Sequence, residues 1–208
     1  MSGSPQDTKR RILDVAEELF SEQGLDRVSV RDIIRAAKVN IASVSYHFGG
    51  KEELIAAVFE RRISPVNTAR IEALDRLETK AGTKSPNVEQ IMEAFIRPAV
   101  ECCEGDEQGA KAFAKLFGRC IAETRPELEN WLRKQFAPVA ARMEEALMRA
   151  LPHLSRGDIF WRMKFTFGSL HHWMLTKDKF LPEWASKSGV EEQMTKLIAF
   201  AAAGFKAK

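Results

Sequence analysis

The sequence is poor in the residues and runs that mark several common classes of protein. It has only 3 cysteines among 208 residues and no Cys-x-x-Cys pair, so they cannot all be bridged internally and a reducing compartment fits. No run approaches the roughly 18 apolar residues that a membrane-spanning helix needs. The first residues contain no apolar signal region, so we expect a cytoplasmic protein.

Recognisable catalytic patterns are also missing. There is no Gly-rich phosphate loop and no Ser-centred elbow. His171 and His172 are adjacent on a predicted helix, where neighbouring side chains diverge by about 100°, and no Glu-x-x-His motif of helical di-iron sites occurs. The sequence therefore predicts a protein that is not an enzyme and that holds no metal or cofactor.

Apolar residues recur at the three- and four-residue intervals of amphipathic helices, without strand-like alternation. This pattern predicts an all-α fold with a three-helix N-terminal part, a connecting helix and a helical body. The predicted helices cover about residues 8–23, 30–37, 41–48, 51–64, 66–79, 87–104, 108–124, 126–150, 155–176 and 189–206. Pro65 is expected to end or kink the fourth helix, and Pro98 and Pro138 to kink two later ones, because proline lacks the helical N–H donor.

Residues 29–48 have the pattern of a helix-turn-helix. Ser29 and Asp32 form a capping-box-like pair at the start of the second helix. Residues 38–40 are short enough to be only a turn, and the glycines at 49–50 end a third helix of about eight residues. A short third helix with one polar side is typical of a helix that enters the major groove of DNA.

The exposed side of the third helix is small and polar, as contact with base edges requires. Residues 27–51 also hold five basic residues and one acidic residue, which can attract phosphates. The predicted DNA-binding residues are Ser29, Arg31, Asn40, Ile41, Ala42, Ser43, Ser45, Tyr46, His47 and Lys51. Ser29, Tyr46, His47 and Lys51 are expected to donate to phosphate oxygens, which sets register and affinity. The alternatives are that Tyr46 and His47 only pack or cap, and that the basic residues form a solvated patch.

These residues resemble the N-terminal domain of the TetR family of one-component bacterial regulators. The resemblance rests on Arg11-Ile12-Leu13, Ala16, Leu19-Phe20, Gly24, Ser29-Val30, Asp32-Ile33, Ala37, Val39, Tyr46-His47-Phe48, Lys51-Glu52 and Leu54. It implies a DNA-binding domain at residues 1–50, with 41–47 as the recognition helix, and a ligand-binding and dimerisation domain at 51–208. Ala42 and Ser45 depart from the usual glycine and tyrosine, which bears on the base contacts.

The C-terminal body is rich in large apolar side chains at helical spacing. Helix 155–176 carries apolar residues on more than one face, and helix 189–206 has small residues suited to close helix contact. By the family resemblance these two helices form the homodimer interface that a palindromic operator requires. The candidate ligand-lining residues are Phe113, Phe117, Trp131, Phe165, His171 and Met174. Each of them can equally be ordinary core.

The body also resembles, more loosely, a PsrA-type, fatty-acid-responsive branch, through Phe113-x-x-Leu116-Phe117-Gly118 and Phe160-Trp161-Arg162. The predicted function is a dimeric, sequence-specific repressor that a small hydrophobic ligand, such as a fatty acid or acyl-CoA, releases from a palindromic operator in double-stranded DNA. The ligand would shift the population of shapes, with the fourth helix as the lever and Pro65 as its hinge. The alternatives are an activator or global regulator of the same family and an all-α lipid-binding carrier.

Overall fold

The computed structural model describes residues 4–82, 84–104, 107–122, 125–177, 179–183, 185 and 187–207. Within these ranges the side chains of Ile41, Ala42, Cys103, Glu104, Glu107 and Ala122 lie outside the description. All regular structure of the described residues is helical, which confirms the predicted all-α fold. The helices are α1 (Pro5–Gln23), α2 (Val30–Ala37), α3 (Ile41–Phe48), α4 (Lys51–Ala81), α5 (Val88–Glu104), α6 (Glu107–Ala122), α7 (Pro126–Ala150), α8 (Arg156–Thr176) and α9 (Val190–Lys206).

Three of these helices begin with a capping box. A serine hydroxyl accepts the N–H three residues on, and the aspartate at that position accepts the serine N–H. The pairs are Ser4 with Asp7, Ser29 with Asp32, and Ser155 with Asp158. The α2 box was predicted. The α1 box starts that helix at Pro5 instead of the predicted Thr8, because proline is tolerated in a first turn.

The two helices predicted on either side of Pro65 are one continuous helix, α4, so the predicted end before Pro65 is wrong. Proline removes a single backbone donor, and side chains on both sides of it are fully buried, Phe59 before it and Leu74 after it. Burial of this kind stabilises a helix more than local propensity does, and it offsets the missing hydrogen bond. Pro98 and Pro138 likewise lie inside the uninterrupted helices α5 and α7.

The chain packs as two compact units. The first unit is Met1–Ser64 with Asp106–Leu132, and the second is Pro65–Gly105 with Arg133–Lys208. In the first unit α1 packs against α2, α3 and α6, and in the second α9 packs against α5 and α8. These packing units include α6 with the N-terminal helices, which the sequence pattern did not indicate. The division by function after residue 50 remains a prediction.

The core of the second unit is apolar and draws on all five of its helical segments, from α4, α5, α7, α8 and α9. Ile91 and Ile96 of α5 are fully buried, as is Phe205 of α9. Ala201 and Ala202 of α9 are buried in the same core. Part of the small-residue seam predicted on α9 is therefore used for contact inside the chain.

Candidate DNA-binding surface

The eight-residue helix α3 is held in place by apolar contacts from one side. Val44 of α3 is 1% exposed, and Phe20 of α1 and Ile33 of α2 are fully buried in the same unit. α3 packs against both of these helices. Because a helix of eight residues is not stable alone in water, its position depends on this contact. The arrangement is that of a helix-turn-helix, in which α1 and α2 brace α3.

The turn between α2 and α3 is three residues long, as predicted for residues 38–40. Lys38 adopts the left-handed conformation with φ 53°, and its N–H bonds to the carbonyl groups of Arg35 and Ile34. The N–H of Val39 also bonds to the Ile34 carbonyl, at 3.2 Å. These bonds satisfy the free carbonyl groups at the end of α2 and fix the direction in which the chain enters α3.

The side of α3 away from the core presents polar side chains. Tyr46 is 82% exposed, and its ring contacts His47 edge to face, with the ring centroids 5.0 Å apart. Asn40 and Ser45 are exposed, and Ser43 and His47 are half-buried. The predicted residues Ile41 and Ala42 belong to the first turn of α3, and their side chains lie outside the described ones. Tyr46 therefore does not pack into the protein, so the alternative that it serves only for packing is wrong.

Ser29 already uses its hydroxyl group within the protein. The hydroxyl donates to the Asp32 carboxylate and accepts the Asp32 N–H, the latter at 3.2 Å. The bonds from the Ser29 hydroxyl and N–H hold the pKa of Asp32 below its ordinary value, so the carboxylate stays ionised. The predicted donation from Ser29 to a phosphate would require this pair to open. Arg31, two residues further on, is exposed.

The junction of α3 and α4 depends on glycine. Gly49 has φ +91°, a conformation that side chains other than glycine rarely adopt. A Cβ atom at Gly50 would lie 2.8 Å from a carboxylate oxygen of Glu53, which is the end of a flexible side chain and can move aside. Lys51 follows at the start of α4, half-buried, with its ammonium nitrogen 3.5 Å from the carbonyl oxygen of Asp26. The cation predicted to meet a phosphate thus stands directly after α3.

On another side of α1, a charged network connects this helix to α4. Glu17 is 2% exposed, and its carboxylate accepts hydrogen bonds from Arg61 and, at 2.8 Å, from Nε of Arg62. Arg61 also pairs with Asp14. A buried carboxylate is costly unless it is paired, so these bonds fix the N-terminal half of α4 on α1. Sequence reasoning missed the network, because its partners are more than 40 residues apart and share no local pattern.

One arginine of α6 and one that precedes α7 contact residues at the end of α1 and the start of α4. Arg119 donates to the carbonyl oxygen of Glu22 at 3.3 Å. Arg125, just before α7, pairs with Asp26 and lies 3.8 Å from Glu52. The Arg119 bond accompanies the packing of α6 on α1, which places α6 in the first packing unit.

The predicted ligand residues fall into two groups, one in each unit. In the first unit, Phe113 and Phe117 of α6 surround Phe59 of α4, with ring centroids 5.7 and 6.3 Å from it. Phe59 is fully buried and Phe117 is 7% exposed. Trp131 of α7 is half-buried in the same unit. Phe59 and Phe117 belong to the buried core of this unit, and the half-buried Phe113 packs against both.

The second group lies on α8. Met174 packs against the core of the second unit and His171 is half-buried. Phe165 is 66% exposed, and its ring centroid is 6.1 Å from that of Trp161. Phe160 and Trp161 are also more than half exposed. Phe165 therefore belongs to an exposed aromatic stripe on α8, an environment unlike that of a residue that lines an enclosed pocket.

A surface cleft of about 280 Å³ lies between α4 and α5, and no predicted ligand residue lines it. Its walls carry the charged residues Arg76, Lys80, Glu93, Arg97 and Glu101. Bonds from the neighbouring carboxylates, chiefly that of Glu191, raise the pKa of Arg97. Small-molecule sites are usually mostly apolar, so this cleft differs from the hydrophobic pocket that the sequence predicts.

The described part of the chain contains neither a candidate metal site nor a candidate membrane span. There, no three His, Cys, Asp or Glu side chains are placed so that they could hold a metal ion. Also within these residues, each helix is either too short or too polar to cross a bilayer.

Two family models match the sequence. The model of bacterial regulatory proteins of the tetR family matches residues 12–58, and the model of the tetracyclin repressor-like C-terminal domain matches residues 93–204. The HTH-type transcriptional regulator AcrR of Shigella flexneri is 36% identical over 115 residues, which are 55% of this chain and 50% of AcrR. The match therefore spans half the length of this curated relative. The matched families and this relative are transcriptional regulators rather than enzymes.

Solved structures of such regulators share the fold. A TetR family transcription regulator from Marinobacter aquaeolei VT8 superposes with a TM-score of 0.67 at 15% identity, over 96% of this chain and 96% of that one. The fatty acid degradation regulator FadR from Bacillus halodurans superposes with a TM-score of 0.62 at 16% identity, over 99% of this chain and 96% of FadR. The two family models, together with the braced helix-turn-helix, lead to one conclusion: this chain belongs to the TetR family of bacterial regulatory proteins.

Proposed function

We propose that this protein is a cytoplasmic, dimeric repressor that binds a palindromic operator in double-stranded DNA and is released by a small hydrophobic ligand. The observation that carries the proposal is α3, whose buried side is braced by α1 and α2 and whose other side presents Tyr46 and polar neighbours. A helix with this bracing and exposure is suited to the major groove.

The proposed base contacts come from Asn40, Ile41, Ala42, Ser43 and Ser45. Arg31, Tyr46, His47 and Lys51, with Ser29 when its capping pair opens, are proposed to contact the backbone. The first experiment is selection of random duplex DNA by the full-length protein over several rounds at physiological salt. An enriched palindrome is the expected result. Background binding that only weakens with salt, with no enriched sequence, would contradict the proposal.

Tyr46 offers a direct test, because it is the only tyrosine of the chain. We expect Tyr46→Phe to lower affinity for the selected operator about three- to tenfold, the effect of one lost hydrogen bond, and to lower it equally for all sequences. Because the side chain is 82% exposed, the melting temperature should stay unchanged. The fluorine signal of 3-fluorotyrosine in the wild-type protein should shift when operator is added. Phe180→Ala, at an aromatic that is 94% exposed in the second unit, is the matched control.

The proposed dimer uses the exposed apolar residues of α8 and α9. Phe160, Trp161 and Phe165 on α8 are 57%, 52% and 66% exposed, and Phe200 on α9 is 68% exposed. Exposed large apolar side chains of this kind are typical of protein interfaces when they are clustered, as the three on α8 are. α8 and α9 pack on each other, so a symmetric partner could cover both.

Charged substitutions in this stripe test the dimer. We expect Phe165→Glu and Phe200→Glu to convert the protein from dimer to monomer in sedimentation velocity, because a carboxylate would be buried unpaired in the interface. The same variants should bind a palindrome much more weakly while they still melt cooperatively. Phe180→Glu, outside both helices, should remain dimeric. A wild-type protein that sediments as a monomer at all accessible concentrations would contradict this part of the proposal.

For the ligand we propose a hydrophobic molecule of the fatty acid or acyl-CoA class, in line with the PsrA-type resemblance of the body. The fold is shared with a protein from Bacillus halodurans that is described as a fatty acid degradation regulator, which supports testing this class first. Phe113, Phe117, Trp131, His171 and Met174 remain proposed lining residues. Phe165 fits the dimer surface better, because of its exposure.

Release from DNA is proposed to follow two-state linkage. A ligand that binds one shape of the body more tightly shifts the population away from the DNA-binding shape. The continuous helix α4, which contributes residues to both units, is the proposed lever. Titration of the operator complex with fatty acids and acyl-CoAs should reduce affinity. If reporter transcription rises rather than falls with the protein present, the activator alternative is correct instead.

A further inference from the structure

Arg70 of α4 is a buried arginine whose partners are all neutral. The residue is 3% exposed. Its Nε donates to the carbonyl oxygen of Phe95 at 2.8 Å, and its Nη1 donates to Oδ1 of Asn67 at 3.2 Å. The guanidinium carbon lies 4.1 Å from the centre of the Phe95 ring. The hydrogen-bonding of the group is therefore partly satisfied, but its charge is not compensated.

Among the described residues, no carboxylate pairs with Arg70. Burial lowers the pKa of Arg70 to about 9, which still leaves the group charged near neutral pH. A buried cation without a counter-charge is costly in free energy, and a folded protein seldom contains one without a compensating interaction. An anion that binds at this position would supply the compensation.

The neighbours of Arg70 combine an amide with aromatic surface. Asn67 is 8% exposed and donates through Nδ2 to the carbonyl oxygen of Gln135, at 3.0 Å. The next residue in α7, Phe136, packs edge to face on Phe167 of α8, with ring centroids 5.9 Å apart. Both phenylalanines are only partly buried against the core. Hydrogen bonds thus connect Arg70 through Asn67 to the turn of α7 that carries Phe136.

We propose that Arg70 is the cationic anchor for an amphipathic monocarboxylate. The carboxylate replaces the Asn67 side chain on the fork of the guanidinium, and the apolar chain of the ligand lies along Phe136 and Phe167. Asn67 is the exchangeable partner, because the other acceptor is a backbone carbonyl of α5. This inference rests on the proposed function, since it names the class of ligand that the same regulator takes. Arginine suits the role because its planar fork matches a carboxylate.

The test compares decanoate with 1-decanol, which has the same chain length and no charge, by calorimetry on the full-length protein. We expect the wild-type protein to bind decanoate at least about tenfold more tightly than decanol, the effect of one charge-assisted bond. Arg70→Met, which keeps the volume and removes the charge, should bind both probes equally. Arg70→Lys should retain part of the preference. A merely structural role of Arg70 would change the melting temperature without changing the ratio of the two affinities.

Asn67→Asp gives a second test that does not depend on the folding of the Arg70 variants. It places a permanent carboxylate beside the guanidinium, so it should lower the affinity for decanoate at least about tenfold. The proposal is overturned if the wild-type protein does not prefer decanoate, or if Arg70→Met or Asn67→Asp keeps the same preference. Calorimetry needs no DNA, so these outcomes are independent of the operator selection that tests the proposed function.

Discussion

Arginines of α4 take part in buried contacts in both units, but they differ in what they meet: half-buried Arg61 and Arg62 bind a buried carboxylate, whereas Arg70 is itself buried. In the first unit, Arg61 and Arg62 of α4 donate to Glu17 of α1, which is almost fully buried. In the second unit, Arg70 on the same helix meets a carbonyl, an amide and an aromatic ring. One helix therefore carries a compensated cluster of charges and an uncompensated charge, separated by little more than two turns.

The difference separates two uses of a buried charge. A compensated cluster specifies how two helices pack, because neither partner can leave without exposing the other to an apolar environment. An uncompensated charge does not specify how helices pack, and it lowers the stability of the fold. The binding of an anionic ligand therefore explains it more readily. Four experiments test this difference between the two units.

The largest effect is expected from Glu17→Gln. This change leaves Arg61 and Arg62 without their shared carboxylate, which should lower the free energy of unfolding by about 3 kcal/mol. Urea denaturation of the wild-type and variant proteins measures it. Glu18→Gln, an exposed neighbour on the same helix, should change stability little. Equal effects of the two substitutions would mean that the network does not hold α1 and α4 together.

A smaller effect is expected from the capping serines, which use the same chemistry in both units. Ser29→Ala and Ser155→Ala should each lower the free energy of unfolding by about 1 kcal/mol. Only Ser29→Ala should also weaken operator binding, because it frays the eight-residue helix α2 that braces α3. Denaturation and operator titration of both variants check this. If both substitutions weakened operator binding equally, the Ser29 capping box would have no specific role in holding α3 for DNA.

Arg70→Met should change the stability of the ligand-free protein by less than about 1 kcal/mol, in contrast to Glu17→Gln. The lost hydrogen bonds to Phe95 and Asn67 are offset by removal of the desolvated charge. Urea denaturation without ligand measures the change. A loss of stability as large as that for Glu17→Gln would show that Arg70 is a structural residue like Arg61, so that the two arginines would not differ in role.

The smallest effect concerns acid. Serine bonds hold the pKa values of Asp32 and Asp158 below their ordinary value of 3.8. The carboxylates of the unfolded chain are protonated first on acidification, so the stability from each box is present above that ordinary value and is lost as the pH falls through the lower folded value. The melting-temperature difference between wild-type and Ser29→Ala proteins should thus be constant from pH 7 to pH 5 and shrink below about pH 4. If the melting-temperature difference already shrank near pH 6, the Asp32 carboxylate would not be the group responsible.

Local patterns predicted much of the first unit. The bounds of α3, the turn at residues 38–40 and the capping box at Ser29 are all confirmed, because glycine, capping serine and helical spacing act within a few residues of chain. Of the end or kink that Pro65 predicts for the fourth helix, the end is wrong, because α4 continues through this residue. Packing on both sides of the proline stabilises the helix there, and such packing is not a local property.

Residue types at short, fixed spacings were enough to predict the all-α fold, the helix-turn-helix and membership of the TetR family. Three features emerge only from the packing of distant segments: Tyr46 is exposed, Phe165 belongs to a surface stripe, and Arg70 is buried with no counter-charge among the described residues. Burial and charge compensation depend on residues far apart in the chain. No local pattern specifies which of them meet when the helices pack.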